Sequence, residues 1–197
     1  MIGAIVLAAG SSRRFNGDKR KATLPNGKMV IQQSVETALS CFGEVTLALR
    51  DGDHAFSTEL SLLINNPKLN IVRAPDSALG MGHSLANAIR QVNNWDGVFV
   101  FLADMPHLRP ATIDQLKAAF AANQKDSPIV APLHDGQLGH PVGFAAGYFD
   151  ALAALTGDKG AKPVINANAA KVIKVNVNDT GVLKDIDTPE DLSPNCP

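Results

Sequence analysis

Residues 2–25 read IGAIVLAAGSSRRFNGDKRKATLP, and the way this stretch turns from apolar to cationic decides the fold. An apolar run over residues 4–8 ends at Ala9, Gly10, Ser11 and Ser12. A short continuous apolar run bounded by turn residues predicts a strand buried on both faces. Similar runs recur at residues 45–49, 71–72, 98–102, 129–131 and 142–145, whereas residues 172–177 alternate and predict an edge strand. Between them lie helical periods. Ile31, Val35, Ala38, Leu39 and Phe42 mark one apolar face, and Phe56, Leu60, Leu63 and Ile64 a second. Leu85, Ala88, Ile89 and Val92 mark a third, and Ile113, Leu116 and Phe120 a fourth, with a helix start at Pro110 and Thr112. Strands alternating with helices predict an α/β domain with a mainly parallel central sheet flanked by helices.

The composition agrees with one such domain. Among 197 residues, 45% are hydrophobic and 19% charged, which excludes a disordered chain. Eighteen basic against 19 acidic side chains leave a formal charge of −1, so neither a nucleic-acid surface nor a polybasic membrane anchor is expected. No apolar run reaches the roughly 18–20 residues that span a bilayer. Residues 2–9 read as a strand, not a signal peptide. Cys41 and Cys196 lack zinc spacing, and Cys41 beside Phe42 reads as core packing. A cytoplasmic, disulfide-free protein is expected, with one domain over 1–192 and a tail over 193–197.

In a parallel sheet, ligands sit beyond the carboxyl ends of the strands. The first such place is the loop after residue 8. Its small residues let backbone N–H groups approach an anion. Five cations then fall within nine positions: Arg13, Arg14, Lys19, Arg20 and Lys21. That pattern suits a triphosphate; the plainer alternative is a solvated basic loop. Two other phosphate motifs do not fit. Asn16 stands six positions after Gly10, where a P-loop needs its Lys, and Leu85 stands where Gly80-Met81-Gly82 would need the third glycine of a dinucleotide fingerprint. The second place is VFVFLADMP, where Asp104 just follows a strand. A carboxylate there is a natural Mg²⁺ ligand, and the alternative is a turn aspartate. Near the end, DIDTPEDL offers Thr188-Pro189-Glu190-Asp191 as the start of a short helix. Asp185 and Asp187 precede it and are open to a second metal-ligand role.

Taken together, LAAGSSRRF, Lys21-Ala22-Thr23-Leu24-Pro25, ADMP at 103–106, Gly139-His140-Pro141 and DIDTPEDL resemble the MobA-like nucleotidyltransferases. The likeness is closest to the molybdenum cofactor cytidylyltransferase branch. Residues 157–162, GDKGAK, are similar to a family GDxGAR segment, and Pro75, Gly80 and Ser84 match its spaced proline, glycine and serine.

The resemblance implies a single Rossmann-like nucleotidyltransferase domain that takes an NTP and Mg²⁺ and releases pyrophosphate. By position, Leu7, Ala8, Ala9 and Gly10 line the nucleotide, with Pro75, Gly80 and Ser84 near base and ribose. Arg14 and Lys21 meet the triphosphate; Lys19, in the family's Asp-Lys form, is the rival to Lys21. Asp104 and Asp187 hold the magnesium, and His140 contacts the acceptor or is a turn histidine fixed by Pro141. Ala9, where the guanylyl branch has glycine, narrows the base-facing turn and favours CTP over GTP or ATP; against this, Gly17-Asp18-Lys19 resembles the guanylyl branch. The implied acceptor is a phosphorylated small molecule of the molybdopterin type, and a molybdoenzyme is the implied recipient of the product. The alternatives are a non-catalytic nucleotide-binding maturation module of the same fold, or guanylyl or other nucleotidyl transfer to a different phosphorylated acceptor.

Overall fold

The computed structural model describes residues 1–10, 15 and 17–192. Eight strands run along them: β1 (Ile2–Leu7), β2 (Val45–Arg50), β3 (Leu69–Ala74), β4 (Gly97–Leu102), β5 (Ile129–His134), β6 (Gln137–Leu138), β7 (Val142–Ala145) and β8 (Val172–Asn176). The helices are α1 (Val30–Cys41), α2 (His54–Ile64), α3 (Met81–Arg90), α4 (Pro110–Ala122), α5 (Phe149–Ala153) and α6 (Lys162–Ala167).

β1 is buried along almost its whole length, as its unbroken apolar run requires. It pairs in parallel with β2 on one side and β4 on the other, and β3 extends the sheet beyond β2. Past β4 the sheet becomes mixed. β7 runs antiparallel to β4, and β5 antiparallel to β7. β8 lies parallel beside β5, and β6 forms a hairpin with the end of β5. β8 shows the alternating exposure that its sequence predicts for an edge.

The four apolar faces become the helix contacts with the sheet. Ile31, Val35, Leu85, Ile89, Ile113, Leu116 and Phe120 are all buried. The second face is narrower than the sequence suggests. Phe56 and Leu60 are buried, but Leu63 is 49% exposed, because α2 packs only along the edge strand β3 and against α1. Phe99 centres the packing, 5.5 Å from both Phe42 and Phe120. Each such buried side chain contributes about 1.5–3 kcal/mol relative to exposure. The start of α4 at Pro110 is capped from afar. Buried Asp179 accepts hydrogen bonds from the Arg109 backbone N–H (3.0 Å) and the Thr112 hydroxyl (2.6 Å).

What this topology positions is a crevice. The chain leaves β1 toward β2, then returns across the sheet to β4 on the opposite side of β1. At that reversal the connections after β1 and β4 diverge, and a ligand can lie between them. No helix among the described residues is long and apolar enough to cross a membrane.

Candidate active site

A cavity of about 1240 Å³ opens at this reversal. Leu7, Ala8, Ala9 and Gly10 form its floor, Pro75, Gly80 and Ser84 one wall, and Asp104 with Asp187 the other. All nine were expected to meet nucleotide or metal. Gly80 owes its place to two constraints. Its φ is +128°, and a Cβ there would stand 2.3 Å from the Gly157 carbonyl oxygen. The Gly82 N–H donates to that same oxygen at 2.8 Å, so the turns at 80–82 and 156–158 form one wall.

Opposite lie three carboxylates. Oxygens of Asp104, Asp185 and Asp187 come within 4.8 Å of one another. The local sequence explains why. Ile186, between the two later aspartates, is fully buried in a small cluster with Phe15, Leu24 and Val30. Alternation then turns both neighbours toward the cavity, which both line. The Ile186 N–H donates to the Asp104 carbonyl at 2.8 Å and sets the segments in register. Asp191 holds the turn, accepting from the backbone N–H groups of Asp187 (2.9 Å) and Thr188 (2.7 Å). Residues 189–192 form a 3₁₀ turn rather than an α-helix. Burial raises the Asp185 pKa, and the charges of Asp104 and Asp187 raise it further. Asp104 Oδ1 is buried with no hydrogen-bond partner among the described residues.

Lys19 lies at these acids. Its Nζ lies 2.6 Å from Asp104 Oδ2 and 2.9 Å from Asp187 Oδ1. Burial alone would lower its pKa; Asp104 and then Asp187 outweigh that and hold it above the usual lysine value. Lys21 does not reach the cavity. Its ammonium sits 4.4 Å over the Phe56 ring and 3.6 Å from Glu59, and the side chain is 48% exposed. Lys19, Arg20 and Lys21 form a 3₁₀ turn. With three residues per turn, successive side chains point a third of a turn apart. Lys19 faces the acids, Arg20 the interior and Lys21 the outer surface. The expectation that Lys21 meets the ligand thus falls on a side chain turned away from the cavity.

Arg14 lies outside the described residues, as does Cys196. Cys41 is a partly buried free thiol packed against the core. His140 is not among the cavity-lining residues. Its backbone N–H donates to Val182 at 2.8 Å, while its Nδ1 is buried without a partner among the described residues. Burial pushes its imidazole below the usual histidine range, so the ring is neutral at physiological pH. Gly139 is required by packing, since a Cβ would stand 2.2 Å from the Val182 carbonyl oxygen.

The cavity also takes residues that the sequence reading left unassigned, among them Arg20, Arg50, Met81 and Asp158. Arg50 ends β2, so the strand-end rule would have found it. Its Nε donates to the Gly10 carbonyl at 3.1 Å. Arg20 stood in the sequence as one of five cations, and nothing local marked it as buried.

The family described as MobA-like NTP transferase domain matches residues 4–172. The purine catabolism protein PucB of Bacillus subtilis (strain 168) is 29% identical over 196 residues, covering 95% of this chain and 92% of that protein. A 2-C-methyl-D-erythritol 4-phosphate cytidylyltransferase of Vibrio atlanticus is 30% identical, covering 71% of this chain and 63% of that enzyme. Among solved structures, the Mycobacterium sp. strain JC1 homologue of M. tuberculosis Rv0371c superposes with a TM-score of 0.79 at 27% identity, covering 96% and 92%. The M. tuberculosis protein itself, in complex with manganese, gives 0.72 at 24% identity, covering 96% and 95%.

Proposed function

The chain belongs to the family of MobA-like NTP transferase domains, and from that premise we propose that it moves CMP from CTP to a phosphorylated acceptor, with release of pyrophosphate. The observation that carries this reading is the meeting of Lys19 with three carboxylates in one large cavity. The cavity exceeds the ~300–1,000 Å³ that suits one small ligand, so a nucleotide and an acceptor fit together.

The acidic corner fits Mg²⁺. Its donors are all oxygens, and the unpartnered buried Oδ1 of Asp104 leaves an acceptor for a hard cation. Asp104 and Asp187 would hold it, with Asp185 within reach; the manganese complex of the mycobacterial protein favours a divalent site. When bound, the ion neutralises charge on the triphosphate and the departing pyrophosphate. The protein supplies the rest. Backbone at Ala9 and Gly10 cradles the phosphates, and Lys19, rather than Lys21, meets them as a point charge. Arg14 keeps the triphosphate role that the resemblance implies. An acceptor phosphate oxygen bonds to the α-phosphorus in line, and the bond to the β-phosphate oxygen breaks with its electron pair leaving on pyrophosphate. An ionised phosphate monoester needs no general base, so none is assigned to His140, which lies behind the cavity lining.

Ala9 supports CTP, because its Cβ narrows a floor on which the guanylyl branch has glycine, and a relative is itself named a cytidylyltransferase. Lys19 acts on phosphates shared by every NTP and leaves the base choice unchanged. The acceptor in this reading is the molybdopterin form of the molybdenum cofactor, and a molybdoenzyme receives the product. The test is a thermal-shift panel of CTP, GTP, ATP and UTP, with and without Mg²⁺, on the wild type and Asp104→Asn. A ligand at 100 times its Kd stabilises by about 2.7 kcal/mol, or about 5–10 °C for a domain of this size. The expected result is an Mg²⁺-dependent rise with CTP that Asp104→Asn removes, with pyrophosphate release once the acceptor is added. CTP binding with no pyrophosphate released from it when the cofactor acceptor is present would favour the non-catalytic module.

A further inference from the structure

Arg20 is buried at the rim of the cavity, and its guanidinium is fully engaged. Nη1 donates to the Ala8 carbonyl at 2.8 Å and to Asp53 Oδ2 at 2.5 Å. Nη2 donates to Asp18 Oδ2 at 2.6 Å and Asp53 Oδ1 at 3.1 Å, and Nε to Asp18 Oδ1 at 2.8 Å. An arginine side chain has five N–H donors, so none is left for a phosphate. We propose that Arg20 is the positioning residue of this nucleotide site, setting from behind both the floor of the cavity and the turn that presents Lys19. The inference rests on the nucleotidyltransferase reading and extends it to a residue that touches no substrate.

The three groups bound by Arg20 come from three separate segments of the cavity. Ala8 is the exit of β1. The C=O of Ala8 and the N–H of Ala9 share one planar trans peptide and point opposite ways. Tying the carbonyl to Arg20 therefore fixes the Ala9 N–H on the side away from it. Asp18 opens the 3₁₀ turn and also accepts from the Arg20 backbone N–H at 3.2 Å, so the turn that carries Lys19 is closed on the same carboxylate. Asp53 follows β2 and accepts from the Arg50 backbone N–H at 3.1 Å, while the Arg50 side chain holds the Gly10 carbonyl. Arg20 thus reaches the two floor carbonyls on either side of Ala9, Ala8 directly and Gly10 through Asp53 and Arg50. Buried ion clusters of this kind commonly add little net stability relative to apolar residues of similar volume. What the planar fork does supply is direction, and a lysine ammonium does not reproduce it.

The experiment measures Mg²⁺–CTP binding by calorimetry on wild type, Arg20→Lys and Asp53→Asn, with the melting temperature of each without ligand. Steady-state KM values for nucleotide and acceptor follow. Arg20→Lys keeps the charge and loses the fork; Asp53→Asn keeps an acceptor oxygen and loses one arm. The expected result is nucleotide binding weaker by about tenfold or more in Arg20→Lys and by a smaller factor in Asp53→Asn. The KM for acceptor stays unchanged, a split that general loosening of the fold would not produce. Folded Arg20→Lys with wild-type nucleotide affinity overturns the proposal. Should Arg20→Lys not fold, Asp53→Asn decides: a lowered melting temperature with unchanged nucleotide affinity overturns it equally. A wild type that binds no NTP refutes the functional reading itself, and the inference with it.

Discussion

Lys19 and Lys21 stand two residues apart in one cationic run, yet one faces three carboxylates and the other a phenyl ring. Lys19→Ala should therefore lower kcat/KM for nucleotide by about 100-fold, the loss of one charge-assisted contact of 2–3 kcal/mol, and Lys21→Ala by less than about twofold. Steady-state kinetics on the two variants checks this, and equal losses would contradict the assignment. The pH response of the Arg20 cluster has a definite sign. Burial raises the Asp53 pKa, but Arg20 outweighs it and holds the group below its ordinary value of 3.8. The stability it contributes is present above that ordinary value and is lost as pH falls through the folded-state pKa. Asp53→Asn should melt lower than wild type at about pH 7, and the two should converge as pH falls through the lowered folded-state pKa of Asp53, as melting curves on acidification will show. At this scale, Asp104 was legible because a strand end announced it. The choice of lysine was not legible, because it depends on the phase of a three-residue turn.

The strands and helices were largely legible because each buries a continuous run or a clean stripe. The misreading of α2 has a simple cause: an apolar period does not say how much sheet lies beneath it, and Leu63 extends past that edge. DIDTPEDL carries the signature of a helix start, yet it forms a tight turn whose acids are aimed by the burial of Ile186. Among the elements, the junction of α3 with the turn at 156–158 is the most sensitive. A Cβ on Gly82 would stand 2.6 Å from the Thr156 carbonyl oxygen, which is backbone and has little room to retreat. Gly82→Ala should cost about 1–3 kcal/mol and lower the melting temperature by about 2–10 °C. It should also weaken nucleotide binding, since Gly157 and Asp158 move with that turn and line the cavity. A calorimetric scan with and without CTP would separate the two effects.

For the molecule as a whole, the reversal at β1 brings to one place residues far apart in the chain, Ala9, Gly80, Asp104, Gly157 and Asp187. The sequence announced most of them individually, through motifs. Their convergence required only the strand-end rule. The antiparallel insertion of β7 between β4 and β5 was not legible, because two strands separated by a short hairpin do not declare which neighbours they will take. The contact between Lys19 and the acids bears on the order in which ligands arrive. An ammonium and a divalent ion sharing one carboxylate pair at about 4 Å repel by on the order of 8 kcal/mol at an effective dielectric of 20. The ammonium is a resident counter-ion, and a divalent ion arriving alone must evict it with nowhere to send it. A triphosphate offers that destination, so metal and nucleotide should enter as partners, each tightening the other. Lys19→Met, titrated with Mn²⁺ and no nucleotide, should bind the ion about tenfold more tightly than wild type. Equal affinity would mean that the vacant enzyme keeps no such reservation.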